Sequence, residues 1–256
     1  MCLSAVLAHK IYWEDQAMGA SGEWVDLGSG LRGYYAVPEG AGPHPSVVIY
    51  IEAFGVNDHF KSVTERFADA GFAAITPDIY DRAIYEYTDM DNAIGHLKRM
   101  DDDTVLAQTG QALDFLDARP EADGDKVAVT GFCMGGRYAF LANAALASRF
   151  KAAAGFYGGG IGPVEDFAGR KTLLDRVGEM QAPVQLWYGS EDGSIASLEH
   201  GRIAEAMSSA AKQFTMTVFP GVGHGFFCED RESYDKSAAE RSWRDTIAFF
   251  HEYLGA

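Results

Sequence analysis

One stretch constrains this chain more than any other: Lys126-Val-Ala-Val-Thr-Gly131-Phe-Cys133-Met-Gly135-Gly136-Arg137, which leads into an alanine-rich run. The apolar, β-branched residues 127–130 predict a strand and residues 137–147 a helix, so the glycine-rich segment between them must turn sharply. Glycines on both sides of Cys133 permit backbone angles and close chain approach that a side chain would block. A strand, a tight turn bearing a nucleophilic side chain, and a helix together make a nucleophile elbow, here with cysteine where serine is commoner. The helix N-terminus next to that cysteine carries partial positive charge, which favours a thiolate. A lone cysteine beginning a helix is otherwise an inert packing residue; the flanking glycines argue against that reading.

The same alternation continues along the chain. Strands are predicted at residues 33–37, 47–51, 73–76, 127–130, 152–156, 184–188 and 215–219. Helices are predicted at 63–70, 104–118, 137–147, 198–210 and 239–253. This pattern specifies an α/β class, a mostly parallel sheet with helices on both faces. Asp103 is expected to cap the helix that starts at Thr104, where Leu106, Leu113 and Leu116 recur at helical spacing. Residues 81–100 and 158–180 resist assignment and follow strands, where lids and pocket walls tend to sit. With no repeat and no Pro- or Ser-rich linker, a single domain over residues 24–256 is expected, preceded by an extension over residues 1–23.

The chain has 256 residues, 47% of them hydrophobic and 23% charged, sufficient for one core around a shaped site. A net charge of −16 repels nucleic-acid phosphates and anionic lipid, so neither is an expected partner. Cys2, Cys133 and Cys228 are odd in number and widely spaced, which is no disulfide framework. Residues 3–8 are apolar but too short for a signal segment, and no basic stretch precedes them. No run approaches a membrane span. A cytoplasmic protein is therefore expected, monomeric or weakly self-associating.

A nucleophilic thiol needs a base, and the base an orienting acid. Of the seven histidines, His224 lies in a Gly-rich loop directly after the 215–219 strand. His59, which follows the 55–58 turn, is the other histidine that can approach the site. For the acid, Trp187-Tyr-Gly-Ser-Glu191-Asp192 ends another apolar run at a turn; Asp192 and Glu191 are rivals that side-chain direction must separate. The chain order Cys133, Asp192, His224 is that of an α/β-hydrolase. Glu52 follows the 47–51 strand at the sheet edge where such folds bind ligands. The backbone N–H groups of Ala53 and Met134 are the candidate oxyanion-hole donors.

Taken together, Glu52-Ala-Phe-Gly-Val-Asn57, Pro77-Asp-Ile-Tyr-Asp-Arg82, Gly131-Phe-Cys133-Met-Gly-Gly136, Gly189-Ser-Glu-Asp192 and Gly223-His224-Gly-Phe226 resemble the dienelactone hydrolase family, over roughly residues 47–254. The resemblance implies a single-domain α/β-hydrolase fold without a cofactor. It also implies that Cys133 attacks the carbonyl of a small lactone or enol ester and forms a thioester, with His224 as base and Asp192 behind it. By the same resemblance Glu52 holds or activates the thiol, and Arg82 binds a substrate carboxylate. Family members active on dienelactone carry a second carboxylate-binding arginine four residues after the catalytic histidine. This chain has Cys228 there, leaving Arg231 and Arg137 as possible substitutes. A general carboxylesterase on uncharged esters, a non-catalytic binding protein of the same fold, and a redox sensor at Cys133 are the competing readings.

Two further patterns point elsewhere and are set aside. Gly28-Ser-Gly30-Leu-Arg-Gly33 matches a dinucleotide fingerprint, but a strand-like run follows where a helix is required, so a hairpin turn is expected. His224 and Cys228 stand at a spacing metal ligands can have, but no CxxC or HExxH accompanies them, so no metal is expected.

Overall fold

The computed structural model describes residues 19–163 and 171–255. Strands β1 (Glu23–Gly28) and β2 (Leu31–Ala36) form a hairpin. Its turn residues Gly28, Ser29 and Gly30 have φ of 89°, 53° and 83°, so the glycine fingerprint is turn chemistry. The remaining strands are β3 (His44–Tyr50), β4 (Ala73–Pro77), β5 (Ala122–Phe132), β6 (Phe150–Phe156), β7 (Val184–Gly189) and β8 (Phe214–Phe219). They make one eight-stranded sheet in the order β1-β2-β4-β3-β5-β6-β7-β8. The pairings β1–β2 and β2–β4 are antiparallel; all others are parallel.

Among the described residues six helices cover this sheet: α1 (Asp58–Asp69), α2 (Met90–Leu97), α3 (Asp102–Asp117), α4 (Met134–Ala145), α5 (Ser197–Ser209) and α6 (Lys236–Leu254). Alternation along the strands sends successive side chains to opposite faces. Tyr50 points toward α3 and α4, where its hydroxyl meets Thr109 and its ring meets Tyr138. Phe132 points the other way, against Phe60 of α1 and Phe227. On that second face Phe67 of α1 packs on Trp243 and Phe250 of α6, and Trp187 donates to Thr246 of α6 at 3.0 Å. Burial on both sides explains why β3 through β7 read as continuous apolar runs.

Several boundaries moved. The α1 helix begins five residues before its predicted start, because Asn57 caps it by accepting from Phe60 N at 3.2 Å. Asp101, not Asp103, caps α3: its carboxylate takes both the N–H and the hydroxyl of Thr104 at 2.9 Å. A cap bonds the amide three residues on, so within the run Asp101-Asp102-Asp103 only the position of the first turn settles the choice. The unassigned 81–100 segment contains α2, and a 3₁₀ turn (Leu174–Glu179) lies in the other. Of the expected extension, residues 1–18 lie outside the described residues, while Ala20 and Gly22 donate backbone bonds to Asp69 and Glu65 of α1.

Candidate active site

Cys133 lies between β5 and α4 with φ 55° and ψ −120°, a left-handed setting that costs a non-glycine residue about 1–3 kcal/mol. The surrounding backbone fixes it there. Its N–H donates to Phe156 O at 3.0 Å. A Cβ on Gly131 would lie 2.0 Å from Gly135 O, and one on Gly135 would lie 2.5 Å from Tyr50 O. The turn therefore closes only with glycine on both sides of the cysteine. Met134 is the first helical residue, so its N–H belongs to the set left free at a helix start. Ala53, buried just beyond β3, is in the chain segment that runs beside this turn.

The candidate base and acid, His224 and Asp192, follow β8 and β7. His224 Nδ1 is 2.7 Å from Asp192 Oδ2, and Asp192 Oδ1 accepts from the N–H groups of Ser194 and Ile195 at 2.8 and 3.1 Å. Glu191 is exposed at the same turn, so direction selects Asp192 over its rival. Burial by itself pulls the His224 pKa down. Interaction with Cys133, the hydrogen bond to Asp192 and the Asp192 charge outweigh it and push the value up to about 10. Asp192 thus both orients the His224 ring and favours its protonated form.

Glu52 is fully buried, and the structure places its carboxylate between two donors from other elements. Tyr157 donates its hydroxyl to Oε1 at 2.9 Å, and Arg231 Nη1 lies 3.3 Å from Oε2. Tyr157 follows β6, carries φ 38°, and sets its ring 5.1 Å from that of His224. Burial and the Glu52 charge hold its phenol well above the usual range, so it remains a donor. Arg231 also sits over Phe54 and Tyr87 at 5.6 and 5.9 Å from the ring centroids, and Cys133 is among the charges that stabilise its cation. Gly225 makes room for it: a Cβ there would lie 2.2 Å from Arg231 Nη1.

Other expected residues fall elsewhere. Arg82 is exposed, bonds Asp78 through its backbone N–H at 3.1 Å, and lines a separate cavity with Ser29, Arg32, Asp78, Gln108 and Gln111. Arg137 is buried and committed to structure. It binds Asp102 through two nitrogens at 2.8 Å and Gly160 O at 3.1 Å, which locks α4 to α3. Cys228 is buried and donates to the Tyr87 hydroxyl at 3.1 Å.

The dienelactone hydrolase family profile matches residues 31–254. The chain belongs to the dienelactone hydrolase family. A provisionally named carboxymethylenebutenolidase from Synechocystis is 31% identical over 230 residues, covering 88% of this chain and 92% of the relative. A provisionally named 2-oxo-3-(5-oxofuran-2-ylidene)propanoate lactonase from a Bradyrhizobium is 28% identical, with 91% and 94% covered. Among solved structures, a provisionally named dienelactone hydrolase from Klebsiella pneumoniae superposes with a TM-score of 0.84 at 29% identity, covering 91% of this chain and 99% of that one. The protein is thus a hydrolase-family member with an α/β-hydrolase fold. Among the described residues no helix is long and apolar enough to cross a membrane.

In this dienelactone hydrolase-family chain the sequence marked the strand-end motifs but missed Tyr157, and it left Arg231 and Arg137 undecided. Tyr157 had one usable signal, its position immediately after an apolar strand, shared with Glu52 and Cys133. Arg231 had none, because it comes from a loop whose path the sequence pattern does not fix.

Proposed function

We propose that this protein hydrolyses a small lactone or enol ester, carrying a carboxylate, through a thioester on Cys133. The observation that carries this reading is His224, bonded to Asp192 and electrostatically coupled to Cys133, which stands at a strained strand–helix turn. The Cys133 sulfur attacks the carbonyl carbon, and the N–H groups of Ala53 and Met134 receive the oxyanion. Collapse breaks the C–O bond, and His224 gives its proton to the departing oxygen. Neutral His224 then takes a proton from water as that water attacks the thioester, which releases the acid and restores the thiol pair. Arg231 stands beside Glu52 as the cation for a substrate carboxylate, in the role that sequence resemblance gave to Arg82. The name of the Bradyrhizobium relative, an anionic ylidene-furanone lactonase, supports that substrate class.

One observation favours uncharged esters instead: the Arg231 charge is already answered by Glu52. Rapid-quench mass spectrometry with a carboxylated enol lactone and a neutral aryl ester addresses both readings. An acyl adduct on the Cys133 peptide, formed and lost at the turnover rate, is expected with the lactone. Turnover with no adduct, or turnover undiminished in Cys133→Ala, would overturn the cysteine mechanism.

A further inference from the structure

By sequence, Cys228 pairs with His224 at ligand spacing; the fold gives it different neighbours. His59 from the first turn of α1 and Asp230 from the loop after Cys228 bring their donor atoms together with its sulfur, all within 4.8 Å of one another. We propose that His59, Cys228 and Asp230 form a binding site for a divalent transition-metal ion of the zinc type, beside the Glu52–Arg231 pair.

The donor set is specific. Imidazole nitrogen, thiolate and carboxylate together suit zinc and its d-block neighbours, whereas the sulfur disfavours magnesium and calcium. Three protein ligands leave a fourth position for water. The Nε2 atom of His59 is buried and has no hydrogen-bond partner, an expensive state for a polar atom unless something fills it. Asp230 is exposed, so it can swing the remaining distance and gives the ion a route from solvent.

On ligation the Cys228 S–H bond breaks, the sulfur lone pair goes to the metal, and the proton leaves to solvent with no change of oxidation state. Tyr87, which accepts from the thiol, is placed to turn its own O–H toward the thiolate and support it from behind.

Cobalt(II) titration of the chelator-stripped full chain tests this, with zinc followed by competition against a chromophoric chelator. Cys133→Ser serves as background so that the other pocket thiol cannot answer. One equivalent is expected to bind with a thiolate-to-cobalt charge-transfer band that disappears in Cys133→Ser/Cys228→Ser. His59→Ala and Asp230→Asn are each expected to weaken zinc binding by about tenfold or more. Substoichiometric binding, a band that survives loss of Cys228, or affinity unchanged by both His59→Ala and Asp230→Asn would overturn the site. The exposed Asp230→Asn keeps the decision open to experiment should the Cys228 variant fail to fold, and none of these readouts depends on ester turnover.

Discussion

Arg231 Nη1 lies 3.3 Å from Glu52 Oε2, with the Glu52 side chain wholly shielded and that of Arg231 17% exposed. Removing one partner of a buried pair leaves the other charge unanswered, typically at about 3–5 kcal/mol, and the partial exposure of Arg231 places it near the lower end. Arg231→Ala is therefore expected to reduce stability by roughly 3 kcal/mol in urea unfolding. Its kcat/KM for a carboxylated lactone is expected to fall at least about tenfold, the scale of one lost charge-assisted contact, and for a neutral ester by less. Equal losses on both substrates would confine Arg231 to holding Glu52.

Gly225→Ala offers the same question by a different route. The new Cβ would meet Arg231 Nη1 at 2.2 Å, the far end of a flexible side chain, and would adopt φ 77° at a strain of about 1 kcal/mol. The protein is expected to fold, with Arg231 displaced from Glu52, and to show the substrate selectivity of Arg231→Ala. A crystal structure with Arg231 unmoved, together with unchanged selectivity, would contradict that link.

The residues around the sulfur are expected to act as one unit. Cys133→Ala and His224→Ala should each lower kcat by about 10³-fold or more, and Asp192→Asn by less than either. Steady-state kinetics with titrated active sites would measure this. A mild effect of His224→Ala would require another base.

The elevated His224 pKa has a definite sign in stability. A group whose folded pKa is raised from 6.5 to about 10 stabilises the fold fully below pH 6.5 and loses that contribution as pH rises toward 10. Urea midpoints are therefore expected to decline from pH 7 to 10 in the native chain. Cys133→Ala removes the negative partner and should flatten that decline. Parallel curves for the two proteins would mean that the sulfur does not hold the imidazolium.

Arg82 gives a contrast within the same family motif. It lines a cavity with Arg32, Asp78 and Gln108. Arg82→Ala is expected to change KM for a carboxylated lactone by less than Arg231→Ala does. The reverse order would return the carboxylate contact to Arg82.

The sequence by itself determined most of the elements, though not β1 or α2, and the strand-end residues. Val127–Thr130 running into Gly131-Phe-Cys133-Met-Gly135-Gly136 permits few backbone paths, because a Cβ at either flanking glycine would strike carbonyl oxygens of neighbouring chain. Each of Glu52, Cys133, Asp192 and His224 follows a strand, and parallel strands bring their C-terminal ends to one edge. What the sequence left open is everything set by side-chain direction and loop path. Asp192 and Glu191 are adjacent in the chain, yet only one turns inward to His224. Arg82 and Arg231 are both arginines near motif residues, but only the loop after Phe227 brings a guanidinium to Glu52. Cys228 stands four residues from His224, but the chain turns its sulfur to Tyr87, His59 and Asp230. Periodicity and turn chemistry are local and therefore legible in order along the chain. The meeting of Glu52 with Tyr157 and Arg231 joins three distant segments through burial and charge, and only the packed tertiary structure decides it.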